Sequence, residues 1–94
     1  MSATVVNPRF HPGRLMITCN AKEVLLRSEI NAALNRHLHG DWGDVCGPDK
    51  RVNDDALKNG GRLLSVYHTK DDVRFWIITE SDRSATTVLL PSDY

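Results

Sequence analysis

The C-terminal third of the chain contains three β-prone runs in close succession, and no other feature of the sequence limits the fold as strongly. The runs cover residues 62–68, 73–80 and 85–90, and four polar residues separate each run from the next. Connectors of that length are typical of hairpins between antiparallel strands. Pro91 ends the third run because proline lacks the N–H that a strand ladder requires. The sequence therefore predicts a three-stranded antiparallel meander.

A helix is predicted ahead of the meander, over residues 21–39. Asn20 is a favourable N-cap residue, Glu23 stands where it would complete a capping box, and Gly40 suits the position after the last turn. The apolar positions recur at helical spacing and are Leu26, Ile30, Ala33, Leu34 and His37. We expect this face of the helix to pack on the sheet.

The segments on either side of this helix have weaker patterns. Residues 14–19 alternate as a strand does, with Leu15, Ile17 and Cys19 on one face. Residues 1–13 are predicted to be an extended N-terminal arm, with a short edge strand at Thr4-Val5-Val6.

Residues 41–61 are predicted to be a loop, with one or two helical turns over residues 53–58. A chain of 94 residues supports one hydrophobic core, so we expect a single domain over residues 1–94. The predicted class is α+β with element order β-α-β-β-β. One long helix packs on one face of an antiparallel sheet made of the meander and the N-terminal strand.

The second face of this sheet is unusually apolar. In the middle strand, Arg74, Trp76, Ile78 and Glu80 alternate with Val73, Phe75 and Ile77. One helix covers only one face, so the N-terminal arm, the 41–61 segment or another protein chain, either a partner or a second copy, must cover the other. The residues expected to bind protein are Trp42, Tyr67, Trp76 and Ile78.

A small ribonuclease of toxin type is the alternative interpretation. Such a metal-independent enzyme needs a general acid, a general base and cations that hold the phosphate. The candidates for these roles are His37, His68, Arg62, Glu80, Arg83 and Thr87. The formal net charge is zero, from 12 basic and 12 acidic residues, which argues against binding of nucleic acid. We therefore favour a non-enzymatic binding protein and keep the ribonuclease as an open alternative.

Neither a metal nor a nucleotide cofactor is predicted. His37 and His39 would diverge by about 200° on a helix and do not share a metal there, so His37 is expected on the apolar face with a backbone or carboxylate partner. The chain has no P-loop or other glycine-rich phosphate loop. Cys19 and Cys46 do not make a disulfide framework, and no run of residues is apolar enough to cross a membrane. We expect a cytoplasmic protein.

Three stretches of the chain have distinctive motifs: residues 37–43 (HLHGDWG), residues 62–67 (RLLS-x-Y) and residues 76–94 (WIITE-x-DRS-x-TTVLLP-x-x-Y). The chain resembles, over residues 14–94, a family of short bacterial proteins labelled "plasmid-related protein" and sometimes labelled a type I restriction subunit. The resemblance implies residence on plasmids and other mobile elements, where small proteins inhibit host defence complexes, act as toxins or assist maintenance. It implies no catalytic residues.

Overall fold

The structure, a computed structural model, describes residues 8–94; the predicted strand at Thr4-Val5-Val6 lies outside these residues. The strands of the described part are β1 (Arg14–Ile17), β2 (Leu63–His68), β3 (Arg74–Thr79) and β4 (Ala85–Leu89). Its helices are α1 (Cys19–Val24), α2 (Arg27–Leu38) and α3 (Gly47–Asn59), and a 3-10 turn follows at Pro91–Asp93. The α+β class is confirmed.

The sheet is mixed, with strand order β1-β4-β3-β2. The antiparallel meander of β2, β3 and β4 is confirmed, with Ser65 opposite Ile77 and Ile77 opposite Val88. The prediction of a purely antiparallel sheet is wrong, because β1 pairs with β4 in parallel. Three helices separate β1 from the meander, and this long connection lets β1 reach the far edge in a parallel orientation.

The single long helix predicted over residues 21–39 is two helices, α1 and α2. Leu25 and Leu26 are both extended, with ψ of 142° and 143°, and Thr18 rather than Asn20 caps α1. Leu25 and Ile30 are both buried, yet five positions along one helix would place them about 140° apart. The break turns both side chains toward the core and leaves Leu26 exposed.

The segment predicted as a loop contains the longest described helix, α3. Pro48 lies at its first turn, where proline is favourable because the first amides of a helix have no partner within it. Gly60 ends the helix with a φ of 86°. Gly47 and Pro48 therefore begin a helix, although the sequence pattern predicted that they lie in a loop.

The two faces of the sheet have different covers. The inner face packs against α1 and α2 through a cluster that includes Ala21, Ile30, Tyr67, Phe75, Ile77 and Val88. The outer face carries Leu64, Val66, Trp76, Ile78 and Thr87, by alternation from the inner residues.

No helix within residues 8–94 has both the length and the apolarity that crossing a membrane requires.

Candidate protein-binding site

A chain of buried hydrogen bonds runs across the inner face beneath α2. His37 Nδ1 lies 2.5 Å from Ser65 Oγ, and His37 Nε2 lies 2.8 Å from Thr79 Oγ1. The Thr79 and Thr86 hydroxyls are 2.8 Å apart, and Thr86 donates to the Pro12 carbonyl at 2.7 Å. Since the Thr86 proton goes to Pro12, Thr79 donates to Thr86 and accepts from His37. His37 Nε2 therefore carries the proton, and Nδ1 of the neutral ring accepts from Ser65.

The surroundings of His37 oppose a charge on its ring. The residue has no exposed surface, and burial, followed by the positive charge of Arg83, lowers its pKa from 6.5 to about 3. A general acid or base must reach its substrate and change protonation near the working pH. His37 meets neither condition. His37 bonds to two hydroxyl groups rather than to the expected backbone or carboxylate group. These hydrogen bonds connect α2 to β2 and β3.

The other candidates for ribonuclease chemistry do not gather around one point. His68 ends β2, where its Nδ1 lies 2.5 Å from the Asp44 carboxylate. Arg62 precedes the opposite end of the strand, about 20 Å away at the rise of an extended chain. Its guanidinium donates to the Tyr94 hydroxyl at 2.7 Å. A phosphate therefore cannot contact Arg62 and His68 together.

The remaining members of the set are equally separate. Arg83 donates from Nη1 to the Gly61 carbonyl at 2.6 Å and so holds the end of α3 against the β3–β4 hairpin. Glu80 lies exposed in that hairpin. Thr87 is on the outer face, whereas His37 is on the inner face. In residues 8–94 no three His, Cys, Asp or Glu side chains are grouped as metal ligands, and Cys19 and Cys46 are exposed free thiols.

Two of the four residues expected to bind protein are buried. Trp42 and Tyr67 are each 2% exposed. The Trp42 indole donates to Asp54 at 2.9 Å, and the Tyr67 hydroxyl donates to the Asp41 carbonyl at 2.6 Å. Tyr67 pairs with Phe75 on the inner face, not with Trp76 on the outer face. Neither aromatic ring is available to a partner.

The other two residues, Trp76 and Ile78, lie on the outer face in a cleft of about 280 Å³. Val52 of α3 and Leu64 also line this cleft. Tyr94 packs edge-on against Trp76 at 5.6 Å between ring centroids. The chain itself therefore covers part of the outer face, and Ile78 is buried there.

The edge of the sheet at β2 is closed by the chain's own residues. Val66 donates to the Trp42 carbonyl at 3.0 Å and accepts from the Asp44 amide at 2.8 Å. Asn53 of α3 makes a second pair of bonds, donating to the Leu64 carbonyl at 2.7 Å and accepting from the Leu64 amide at 3.1 Å. The outward backbone groups of Leu64 and Val66 therefore have partners, and this edge cannot accept another strand.

Within residues 8–94, the edge at β1 is open. The amides of Arg14 and Thr18 donate to the carbonyls of Ser84, just before β4, and of Val88 in β4, at 3.0 Å each, so the amides of Leu15 and Ile17 point away from the sheet. The side chains between these two bonds are apolar and exposed: Leu15 is 55%, Met16 is 48% and Ile17 is 44% exposed. Sequence reasoning placed Leu15 and Ile17 on one strand face but missed that the strand is an edge, because strand order is not a local property.

An apolar groove adjoins this edge on the inner face. Its volume is about 800 Å³, and its apolar lining includes Leu15, Ile17, Leu25, Ile30, Leu34 and Val88. Lys22 and Arg27 lie among its other lining residues. Unpaired backbone groups and an apolar groove together are the features by which proteins bind an extended strand of another chain.

No protein-family model, no curated protein and no solved structure matches this chain.

Proposed function

We propose that the protein is a non-enzymatic protein-binding domain that accepts an extended apolar segment of another chain at the β1 edge. The observation that supports this proposal is that β1 combines two features. The amides of Leu15 and Ile17 point outward, and three consecutive side chains of the strand are apolar and exposed. An edge strand with those properties is normally shortened, charged or covered, because it invites pairing. Here only Arg14 adds a charge.

The bound segment supplies two kinds of contact. Its backbone pairs with the outward groups of Leu15 and Ile17, which contributes affinity without regard to sequence. Its side chains alternate between faces, and those on the inner face enter the groove beside Ile30 and Leu34. We therefore expect selection for apolar residues at every second position and exclusion of proline from the paired region.

The role of this binding is proposed from the resemblance to plasmid-related proteins. A small domain that captures an extended segment of another protein suits an accessory protein of a plasmid or other mobile element. Inhibition of a host defence complex is one such role, since strand addition blocks the captured segment from its usual partners. The ribonuclease alternative is not carried further, because its candidate groups face different parts of the molecule.

Selection from a phage-displayed library of short peptides tests the proposal. The wild-type protein should enrich peptides with alternating apolar residues, and their binding should shift the amide NMR signals of Leu15 and Ile17. Ile17→Pro removes an outward N–H while leaving the β1–β4 bonds in place, so it should abolish peptide binding. Val52→Lys changes an equally apolar residue, 64% exposed and remote from β1, and should bind as the wild type does.

The proposal is wrong if no peptide family is enriched. It is also wrong if the enriched peptides bind Ile17→Pro unchanged but lose affinity for Val52→Lys. That second result would move the binding site to the cleft beside Trp76, which Val52 lines.

A further inference from the structure

We infer that the occupant of the β1 edge is a second copy of this chain, paired antiparallel through β1 about a two-fold axis at Met16. The inference rests on the proposed function, since it names the partner of the same edge. The resulting dimer has one continuous eight-stranded sheet, in which the two β1 strands are the central pair. Such an interface uses the same surface on both copies and closes on itself.

The positions of the outward amides restrict the registers in which two copies can pair. In an antiparallel pair, two residues whose backbone groups both face the neighbouring strand exchange two hydrogen bonds. Leu15 and Ile17 are such residues, and the register that pairs both of them within β1 places Leu15 of one copy opposite Ile17 of the other. The two-fold axis repeats this pair, which gives four hydrogen bonds and places Met16 opposite Met16 of the second copy. Apolar side chains then face apolar side chains at all three positions.

The same register makes the charges complementary. Arg14 of one copy lies opposite Thr18 of the other, and both are on the outer side of β1 with Met16. The Thr18 hydroxyl donates to Asp93 Oδ2 at 2.6 Å, and Asn20 donates to Asp93 Oδ1 at 2.7 Å. These hydrogen bonds lower the pKa of the Asp93 carboxyl group and keep it ionised.

An exposed guanidinium therefore meets an anchored carboxylate on each side of the Met16 pair. Within residues 8–94, Arg14 makes no ion pair inside its own chain, so it is available for this contact. Other registers lose the complementarity. Moving the axis by one residue to Leu15 places Met16 opposite Arg14, and moving it to Ile17 places Asn20, past the end of β1, opposite Arg14.

The dimer also joins the two apolar grooves. Directly opposed residues of an antiparallel pair point to the same face, so both copies of α2 lie on one side of the sheet. Leu15 and Ile17 of each copy then line one shared space between the two α2 helices. Burial of these side chains contributes the apolar part of the association free energy.

Disulfide cross-linking tests the register directly. In a background with Cys19→Ser and Cys46→Ser, Met16→Cys should form a covalent dimer under mild oxidation. The Cα atoms of this non-hydrogen-bonded pair are about 4.5 Å apart, within the range that a disulfide spans. Leu15→Cys in the same background is the matched control. Its Cα atoms are diagonal at about 7–8 Å, and it should stay uncross-linked.

Sedimentation equilibrium measures the association itself. The wild type should reach twice the mass of the 10.6 kDa chain, and Ile17→Pro should remain at the mass of one chain. Arg14→Glu should weaken the dimer by roughly tenfold or more, because two carboxylates then face each other at both ends of the pair. Arg14→Lys keeps the charge and should weaken it less.

The outcomes separate this inference from the proposed function. If the wild type stays a single chain while library peptides still bind at β1, the second copy is the wrong occupant and the binding function stands. A dimer that persists in Ile17→Pro overturns this inference, because self-association then does not need the outward amide of β1, whereas the binding function is still decided by the peptides. A dimer that forms but cross-links through Leu15→Cys rather than Met16→Cys overturns the register and the Arg14–Asp93 contact.

Discussion

The β2 edge and the β1 edge of the sheet present the same kinds of backbone groups, and the chain treats them in opposite ways. At β2, Trp42, Asp44 and Asn53 satisfy every outward group of Leu64 and Val66. At β1, no residue of the described range 8–94 covers the outward groups of Leu15 and Ile17 in this way, and the side chains around them are apolar. The chain thus closes the β2 edge with the backbone of Trp42 and Asp44 and with the side-chain amide of Asn53 in α3. Within residues 8–94 it makes no corresponding contacts at the β1 edge. The open edge is therefore the surface at which we propose that another chain binds.

The closed edge depends most strongly on Gly43, which brings the chain against β2. Its φ is 73°, and a Cβ atom there would lie 2.0 Å from the Val66 carbonyl oxygen. We expect Gly43→Ala to lower the free energy of unfolding by about 3 kcal/mol or more, measured by urea denaturation. Gly60→Ala is the control, because its φ is also positive but its Cβ would meet no atom within 4 Å. If both variants lose the same stability, close approach at the β2 edge contributes nothing.

Asn53 is the next test of the closed edge. Asn53→Ala leaves the Leu64 amide and carbonyl without their side-chain partner and should cost about 2 kcal/mol. Asn59→Ala, on the same helix, loses only an exposed bond to Asp55 and should change stability by about 0.5 kcal/mol or less. Equal values for the two variants would mean that the Asn53 bonds do not hold this edge. Denaturant midpoints at constant slope measure both.

Acid should act on the β2 side of the molecule through His37, which holds Ser65 of that strand. In the unfolded chain this histidine takes up a proton below pH 6.5, whereas in the folded protein its pKa is about 3. The unfolded state binds more protons in this interval, so stability is full above pH 6.5 and falls as the pH decreases toward 3. The expected slope approaches 1.4 kcal/mol per pH unit.

The variant His37→Gln separates the contribution of His37 to the pH dependence of stability from the contribution of the acidic groups. It should be less stable than the wild type at pH 7 but should lose less stability between pH 6.5 and 5. The carboxyl groups of Asp41, Asp82 and Asp93 have lowered pKa values and titrate at more acidic pH. Urea midpoints at several pH values provide the measurement. An unchanged slope in His37→Gln would contradict the buried neutral ring.

Substitutions at the open β1 edge should weaken association with another chain and should leave the stability of the single chain nearly unchanged. Leu15→Thr and Ile17→Thr replace exposed side chains by β-branched polar ones, which favour strands. The free energy of unfolding of a single chain should change by about 0.5 kcal/mol or less. Peptide binding and self-association should both weaken. A large loss of stability in dilute solution would mean that these side chains support the monomer instead.

Local patterns in the sequence predict the meander well and the edges poorly. The three runs of the meander match β2, β3 and β4 to within one residue at each end, because alternation and turn residues act over short distances. The position of β1 depends on which strand it meets after a long connection, and no local pattern encodes that. Tyr67 was grouped with Trp76 for a related reason: only the register with Phe75 shows that the two residues lie on opposite faces.

The helices show the same division between local and tertiary information. The face of α2 with Ile30 and His37 follows from helical spacing, and the end at Gly40, with a φ of 81°, was predicted. The break at Leu25 and Leu26 was not, because Leu26 fits the spacing of the helix that follows it. Packing of Leu25 in the core outweighs that spacing. The exposed edge at β1 was missed because exposure of an apolar strand depends on its neighbours.

Hydrogen exchange of four backbone amides tests the difference between the two edges most directly. Leu64 and Val66 should be protected at every protein concentration, since Asn53 and Trp42 accept from them. Leu15 and Ile17 should exchange quickly in dilute solution and become protected as the concentration rises and the second copy pairs with them. Slow exchange of Leu15 and Ile17 in a dilute, single-chain sample would contradict the account, because it would mean that the β1 edge is already closed.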